Sequence, residues 1–237
     1  MKSKTFGLDI GTTSIRAVWL GRKDNLINLE AVFSGPSVSR ALLSESVVDQ
    51  QSLITNLKGL IKNAEINIAN VNISIPESNV YSKVIEIPML SEQETAAALK
   101  WEMEQYIPLP LEQVKTDWQI LGYKEAEQKK LMSVLIVAVP LTTIQKYEKI
   151  LSSIGLIPQA IETEVISVYR ALSPIFGKTS SDILVHLGTS TSDVAIINKG
   201  IINMVFSIPL GGIAITRAVS VDLGIDATQA ENFKKAY

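Results

Sequence analysis

The stretch from Phe6 to Leu20 constrains the fold of this chain more than any other. An apolar run reaches a single carboxylate, Asp9, a glycine and three hydroxyl residues follow at positions 11–14, and a second apolar run begins at once. Two β-rich runs joined by so short a turn predict a tight antiparallel hairpin. Its glycine lets the backbone approach an anion, its amides and hydroxyls can donate to phosphate, and Asp9 can hold a hydrated Mg²⁺. The same turn can also do no more than bond its own backbone, so both interpretations stay open.

A second copy of this pattern lies far down the chain. Residues 183–197 repeat the order of apolar strand, glycine, hydroxyls and apolar strand, with Gly188-Thr189 at the place of Gly11-Thr12. Each copy continues into a third β-rich run, at 28–33 and at 201–206. Two such turns on related domains can clamp a polyphosphate, which neither turn can do alone. The duplication therefore favours a phosphate site, and it predicts equivalent hairpins.

Composition and charge restrict the class of protein. With 46% hydrophobic and 19% charged residues, the chain has enough apolar material for a packed core. A net charge of −2 without a long basic run argues against nucleic acid as a partner. The absence of cysteine and the single histidine exclude thiolate and histidine-cluster metal sites. No apolar segment approaches the roughly twenty residues of a membrane span, and no signal peptide is recognised, so we expect a cytoplasmic protein.

Residue patterning predicts a mixed α/β chain. Three strands near 5–10, 14–20 and 26–33 precede an amphipathic helix from Asp49 and an alternating strand over 71–75. We therefore expect a first domain that comprises residues 1–76 and 156–179.

A small α+β module interrupts that domain over residues 77–155. Its first helix begins at the capping box Ser91-Glu92-Gln93-Glu94 and ends before two prolines. Trp101 and Trp118 are expected in a core or between subdomains. A strand over 157–162 and a helix over 163–173 then complete the first domain, and a second domain begins over 180–237.

These features together resemble a known superfamily. The two hairpins are similar to the phosphate loops of the actin, sugar-kinase and heat-shock-chaperone ATPases, and Gly211-Gly212-x-x-x-Thr216 resembles a turn just after the second loop. The order of strands and helices in the inserted module and the sequence Tyr106-Ile107-Pro108-Leu109 resemble the PilM family of type IV pilus assembly proteins. The FtsA family is the next most similar. The resemblance implies an actin-like α/β fold, a duplicated ribonuclease-H-like fold with an inserted α+β subdomain. Because that family usually runs further than Tyr237, we expect an incomplete second domain without the later adenosine-binding segment, and hence weak binding of ATP.

The resemblance also implies the site residues. ATP and Mg²⁺ are expected at the two turns, with Asp9 holding the metal through water. The implied nucleotide-binding residues are Asp9, Gly11, Thr12, Thr13, Arg16, Gly188, Thr189, Ser190, Thr191, Gly211, Gly212 and Thr216. Glu162 matches the Glu that opens a crossing helix in the heat-shock and bacterial-actin branches, where it could orient an attacking water. A Glu in a first helical turn also serves the helix dipole, so that alternative stays open.

Near the second turn the sequence departs from the superfamily. His186 stands where an Asp usually precedes the loop, which argues against metal-assisted phosphoryl transfer of the usual kind. Its ring could also simply end a core strand. Asp193, the carboxylate nearest to that turn, is expected to face it. Arg16 replaces a Lys common in the PilM family and keeps its charge.

Two functional classes follow from the resemblance. The first is a cytoplasmic nucleotide-binding scaffold, at most a slow ATPase, of the inner-membrane platform that assembles type IV pili or a related competence or secretion apparatus. It would reach the membrane face by binding the N-terminal peptide of a PilN-like membrane protein, together with other platform components. We expect that peptide between the first domain and the inserted module, beside an exposed strand edge. The second is a kinase or ATPase of the sugar-kinase branch, and an FtsA-like division protein is a further alternative. Sugar kinases need a catalytic Asp near the second loop, so we favour the scaffold.

Overall fold

The chain forms both strands and helices, as the residue pattern predicts. The computed structural model describes residues 4–24, 26–38, 42, 44, 46–126 and 129–237, without the side chains of residues 92 and 124–129. The strands are β1 (Phe6–Ile10), β2 (Ser14–Lys23), β3 (Leu26–Pro36), β4 (Asn70–Ile75), β5 (Tyr81–Pro88), β6 (Val114–Ala126), β7 (Lys129–Pro140), β8 (Ile157–Thr163), β9 (Ser181–Leu187), β10 (Ser192–Asn198) and β11 (Ile201–Ile208). The helices are α1 (Val47–Asn63), α2 (Glu92–Tyr106), α3 (Leu141–Ser153), α4 (Glu164–Leu172), α5 (Gly212–Leu223) and α6 (Ala227–Ala236).

The first hairpin belongs to a five-stranded sheet with the order β3-β2-β1-β4-β8. Strands β1, β2 and β3 are antiparallel neighbours, whereas β4 and β8 run parallel to β1. One sheet face forms a core with α1 and α3, and buries Phe6, Leu8, Ile10, Ile15, Ala17, Trp19, Val71, Ile73 and Ile75. Leu53 and Leu57 of α1 are fully buried against this core. Each such side chain stabilises the fold by about 2 kcal/mol through apolar burial.

The predicted inserted module contains a three-stranded sheet with the order β5-β7-β6. Its central strand β7 is apolar on both faces, as a strand covered on both sides must be. The predicted capping box is present, since the Glu94 amide donates a hydrogen bond to Ser91 Oγ and the Ser91 amide donates one to Glu94 Oε2. Leu99 and Met103 form the buried side of α2. The expectation for Trp101 is wrong, because its side chain lies on the opposite side and is 61% exposed.

The second hairpin forms a three-stranded antiparallel sheet with the order β11-β10-β9. Lys199 and Gly200 connect β10 to β11 with φ of 53° and 77°, which is typical of a type I′ hairpin turn. Helix α5 ends at Gly224 in the left-handed conformation, and α6 begins at Asp226 with a second capping box.

The chain divides into two compact units. Unit 1 comprises Met1–Tyr81, Leu90–Gln119 and Ile136–Ser167, and unit 2 comprises Ser82–Met89, Ile120–Leu135 and Val168–Tyr237. Each unit holds one of the two hairpins. Since the inserted module contributes to both units, the predicted division into three parts stays a prediction. Among the described residues, no helix combines the length and the apolar character that crossing a bilayer requires.

Candidate functional site

The first turn is closed by a single short backbone bond. Ile10 pairs with Ile15, and between them the Gly11 amide donates to the Ser14 carbonyl over 2.9 Å. A Cβ on Gly11 would lie 3.0 Å from that carbonyl oxygen, so any other residue would crowd the bond that forms the turn. Thr12 and Thr13 occupy the apex, half-buried and exposed respectively. This close approach favours glycine at position 11.

The second turn repeats this geometry. Leu187 pairs with Ser192, and the Gly188 amide donates to the Thr191 carbonyl over 2.9 Å. A Cβ on Gly188 would lie 2.9 Å from the carbonyl oxygen of Thr191. Ser190 is exposed at its apex beside a half-buried Thr189. The prediction of equivalent hairpins, with Gly11 matching Gly188, is confirmed for strand order, turn length and turn bond.

A row of polar side chains crosses the sheet of unit 1 beside the first turn. Arg16 Nη1 lies 3.2 Å from Asp9 Oδ2, and Ser74 Oγ donates to Asp9 Oδ1 over 3.2 Å. Ser74 in turn pairs in register with Glu162 of β8. The row thus runs over β2, β1, β4 and β8 at the carboxyl ends of the three parallel strands, where open α/β sheets bind ligands. Two carboxylates that are far apart in sequence share one edge of the sheet.

Ser74 is a member of this row that the sequence analysis missed. A polar residue on the outward side of an otherwise apolar strand end was the available signal. That signal is weak, because a serine in such a place can also face water without a partner. Its contact to Asp9 joins positions 65 residues apart and so follows from strand pairing alone.

Glu162 lies near the end of strand β8, in agreement with the strand predicted over 157–162, and not in the first turn of the helix that follows. It is the last but one residue of β8, and helix α4 begins two residues later at Glu164. The helix-dipole interpretation of Glu162 is therefore wrong, because Glu164 is the acidic residue in the first turn. Glu162 Oε2 instead accepts the Ser167 hydroxyl over 2.9 Å. This bond orients the carboxylate within the polar row.

His186 and Asp193 face each other across β9 and β10 in unit 2. They pair in register, with His186 Nδ1 3.7 Å from Asp193 Oδ2, and Ser207 Oγ donates to Asp193 Oδ1 over 2.6 Å. Asp193 is only 1% exposed. The expectation that Asp193 faces the turn is wrong, since its carboxylate is buried between two strands. A carboxylate of the neighbouring strand thus lies beside His186.

Gly211 and Gly212 fasten the start of α5 to the second turn. The Gly212 amide donates to the Gly188 carbonyl and the Ile213 amide to the Thr189 carbonyl, each over 2.9 Å. A Cβ on Gly211 would lie 2.7 Å from both of those carbonyl oxygens. The first amides of a helix usually remain to be paired by a cap or an anion. Here carbonyl groups of the second turn accept two of these helix amides, so the turn and the start of α5 are fixed to each other.

Thr216 lies one helical turn further on and contacts α6. Its hydroxyl donates to Glu231 Oε2 over 2.5 Å, and Lys234 Nζ donates to Thr216 Oγ1, Glu231 Oε2 and the Gly212 carbonyl over 2.9, 2.6 and 3.2 Å. The bonds from Lys234, and then from Thr216, lower the pKa of Glu231 to about 2.

The structure gathers the predicted site residues into two sets, Asp9 to Arg16 with Glu162 in unit 1, and Gly188 to Gly212 in unit 2. Thr216 belongs to the second set through Gly212.

Comparison with known proteins places the fold in a family. A family model described as type IV pilus assembly protein PilM matches residues 7–237. The structure entitled PilM–PilN type IV pilus biogenesis complex is 22% identical, with a TM-score of 0.82 over 99% of this chain and 70% of that chain.

Two further solved structures are similar to this chain. Ethanolamine utilization protein EutJ from Carboxydothermus hydrogenoformans is 18% identical, with a TM-score of 0.53 over 97% of this chain and 60% of that chain. The cytoplasmic domain of EpsL, an inner membrane component of the Vibrio cholerae type II secretion system, is 12% identical, with a TM-score of 0.52 over 94% and 75%. These likenesses confirm the predicted actin-like α/β fold.

Proposed function

The chain belongs to the type IV pilus assembly protein PilM family, and from that membership we propose that it is a nucleotide-binding scaffold of the inner-membrane platform that assembles the pilus. In this proposal it binds ATP with Mg²⁺, lies on the cytoplasmic face of the membrane, and holds the N-terminal peptide of a PilN-like protein among other platform components. Catalysis is at most a slow ATPase reaction.

The observation that carries the nucleotide proposal is the pair of matching turns. Both Gly11 and Gly188 close a four-residue turn through the same 2.9 Å bond, and both turns present hydroxyl residues at the apex. Hydroxyls and turn amides are the donors that phosphate oxygens accept in such concave backbone sites. Each turn offers such donors, with the hydroxyls of Thr12 and Thr13 in unit 1 and those of Thr189, Ser190 and Thr191 in unit 2.

Asp9 fits the metal part of the proposal. Its carboxylate lies just before the first turn, is 32% exposed, and is held by Ser74 and Arg16. Mg²⁺ prefers carboxylate oxygen and keeps several of its waters. We infer that Asp9 binds the hydrated metal, which supplies positive charge to the phosphates. Without the metal, Arg16 is the cation that pairs with Asp9.

The arrangement of the carboxylates supports binding over turnover. The carboxylate of Glu162 is bonded to Ser167, and that of Asp193 is buried and bonded to Ser207. A sugar kinase needs an exposed Asp that accepts a proton from the substrate hydroxyl. Because Asp193 is 1% exposed, it does not suit that role, and the sugar-kinase alternative is not favoured.

The partner proposal rests on the family and on the inserted module. The similar solved structure is named as a complex of PilM with PilN. In this chain α2 leaves Trp101 61% and Tyr106 39% exposed, and β5 and β6 are edge strands of their sheet. Exposed aromatic side chains suit a peptide that anchors apolar residues, and an edge strand suits a peptide that adds as a further strand. We propose that residues 77–155 hold the PilN-like peptide.

A binding titration with two variants tests the nucleotide proposal. Fluorescent ATP is titrated into the wild-type chain, Asp9→Asn and Asp222→Asn, each with Mg²⁺ and with EDTA. We expect Mg²⁺ to strengthen binding to the wild type and to Asp222→Asn, an exposed carboxylate on α5 outside the proposed site, but not to Asp9→Asn. Binding with the same Mg²⁺ dependence in all three proteins would overturn the metal assignment.

A separate titration tests the partner. A synthetic N-terminal peptide of a PilN-like protein is added while Trp fluorescence is followed, because Trp101 is exposed on α2. We expect a saturable change that Trp101→Ala weakens at least tenfold. A change that persists in Trp101→Ala with unaltered affinity would place the peptide elsewhere.

A further inference from the structure

Ser167 uses its hydroxyl proton on a carboxylate and not on the backbone of its helix. In α1 and α3, Ser52, Thr55 and Ser153 each donate to the carbonyl oxygen four residues earlier, over 2.7 to 2.9 Å. This is the usual bond of a hydroxyl residue inside a helix. Ser167 of α4 instead donates to Glu162 Oε2, five residues earlier and in strand β8, over 2.9 Å. A hydroxyl has one proton to donate, so this contact replaces the usual helical bond.

The first turn of α4 holds Ser167 in this position. The Thr163 hydroxyl accepts the Ile166 amide over 3.4 Å, and Val165 is fully buried. Ser167 and Glu162 are both half-buried, and both belong to unit 1. A hydrogen bond to a charged group is stronger than a neutral one, and more so away from bulk water. The bond therefore fixes where the Glu162 carboxylate lies.

Glu162 is one of two carboxylates in the polar row of unit 1, and the other is Asp9. In the proposed function Asp9 binds the hydrated metal, so Glu162 is the carboxylate of the row that can take a proton. ATP hydrolysis needs such a base. A water oxygen bonds to the terminal phosphorus, the bond to the bridging oxygen breaks with its electron pair remaining on the diphosphate, and the base takes the water proton.

We propose, on the basis of the proposed nucleotide binding, that Ser167 is a positioning residue that slows ATP hydrolysis by holding Glu162. A hydroxyl that donates to an ionised carboxylate stabilises the ion, so the carboxylate becomes a weaker base. The same bond occupies Oε2, one of the two oxygens that can accept the proton of the attacking water. Neither effect involves the hydroxyls of the two turns, so ATP binding is unaffected. A long-lived bound state suits a scaffold better than rapid turnover does.

Infrared spectroscopy tests the bond without any nucleotide. The difference spectrum between each protein and the same protein with Glu162→Gln isolates the carboxylate band of Glu162. We expect this band to shift in Ser167→Ala, which lacks the donor, and to stay at its wild-type position in Ser167→Thr, which keeps a hydroxyl. An unshifted band in Ser167→Ala would show that the hydroxyl does not control Glu162, and would overturn the proposal.

Hydrolysis of Mg²⁺-ATP by the same proteins tests the consequence. We expect Ser167→Ala to raise kcat by about fivefold or more, because the base is released, with KM changed by about twofold at most. Ser167→Thr should behave as the wild type, and so should the matched control Ser153→Ala, an exposed helical serine bonded to the Lys149 carbonyl. Adding Glu162→Gln to Ser167→Ala should abolish the gain.

Two outcomes separate this proposal from the proposed function. If ATP binds and Ser167→Ala hydrolyses it no faster than the wild type, or if the gain persists with Glu162→Gln, the role of Ser167 is overturned and the nucleotide-binding proposal stands. If the chain binds no ATP in the titration with Mg²⁺, the nucleotide-binding proposal fails, and the role of Ser167 in hydrolysis fails with it.

Discussion

Gly211 and Gly212 are neighbours in sequence but differ in what surrounds them. A Cβ on Gly211 would lie 2.7 Å from the carbonyl oxygens of Gly188 and Thr189, which are backbone atoms of the second turn. A Cβ on Gly212 would lie 3.5 Å from Lys234 Nζ, an ordinary contact with a flexible side chain. Of the two, only Gly211 is required by its surroundings.

We therefore expect Gly211→Ala to lower the free energy of unfolding by about 2 kcal/mol, the usual cost of forcing an extra carbon into packed backbone. Gly212→Ala should change it little or raise it slightly, because Ala is the better helix former. Urea unfolding at neutral pH measures both. Equal destabilisation by the two substitutions would show that α5 does not depend on this close approach.

Ser74 supports Asp9 from the neighbouring strand. Ser74→Ala removes the hydroxyl that donates to Asp9 Oδ1. We expect it to destabilise the chain by about 1 kcal/mol and to weaken the Mg²⁺-dependent part of ATP binding, since hydrogen bonds to a charged group contribute that much or more. Ser52→Ala on α1, which removes a hydroxyl bonded to the Val48 carbonyl, is the control and should leave ATP binding unchanged. Parallel titrations of the two variants separate the site effect from a general loss of stability.

At the scale of elements, α5 and α6 are joined by polar groups more than by apolar packing. Thr216 and Ala230 are the buried residues that the two helices contribute, and Glu231 and Lys234 bridge between them. Because these bonds involve charged groups, the pairing of the two helices should depend on pH.

The pKa of Glu231 sets the direction of that dependence. Its folded value of about 2 lies below the ordinary value of 4.5, so the ionised carboxylate stabilises the fold above pH 4.5, and this contribution is lost as the pH falls towards 2. We expect Glu231→Gln to be less stable than the wild type at pH 7 by about 1 kcal/mol, discounted because a third of the side chain is exposed to solvent. The difference should vanish near pH 2.

Lys234→Met provides the control for this effect. In the Lys234→Met background, Glu231→Gln should change the free energy of unfolding little at any pH, because the bond from Lys234, the largest cause of the lowered pKa of Glu231, is gone. Thermal unfolding of the four proteins at several pH values completes the cycle. An unchanged effect of Glu231→Gln in the Lys234→Met background would assign the lowered pKa to Thr216 or Lys235 instead.

At the scale of the whole molecule, each unit offers polar groups to a nucleotide. Adenine needs an apolar slot with a few placed polar groups. On the α5 side of the second turn, Thr216, Glu231 and Lys234 are polar groups that are already paired with one another. We therefore expect the phosphates to contribute most of the binding.

On this basis Mg²⁺-ATP should bind this chain no more than tenfold tighter than Mg²⁺-tripolyphosphate, since 1.4 kcal/mol from the adenosine corresponds to a factor of ten. Isothermal titration with both ligands makes the comparison, and tripolyphosphate with EDTA shows the part played by the metal. A low-micromolar affinity for ATP together with undetectable tripolyphosphate binding would show that adenosine is well recognised and that our placing of the energetic contributions is mistaken.

The sequence by itself determined the features that depend on neighbouring residues. The two hairpins follow from alternating apolar residues around a glycine, and the starts of α2 and α6 follow from Ser91 with Glu94 and Asp226 with Gln229. These signals are local, because a turn bond or a helix cap joins residues only three positions apart.

Tertiary structure alone decided which distant groups meet. Asp9 contacts Ser74 across 65 residues, and Asp193 is buried where the sequence predicted a turn-facing carboxylate. Strand β10 has apolar residues on both sides, so alternation could not tell which side would be buried. The two hairpins in fact bury opposite sides, Leu8 in the first and Leu184 in the second, although position 8 corresponds to Val185. A strand pattern fixes which residues share a face, whereas the elements that pack against the sheet decide which face becomes core.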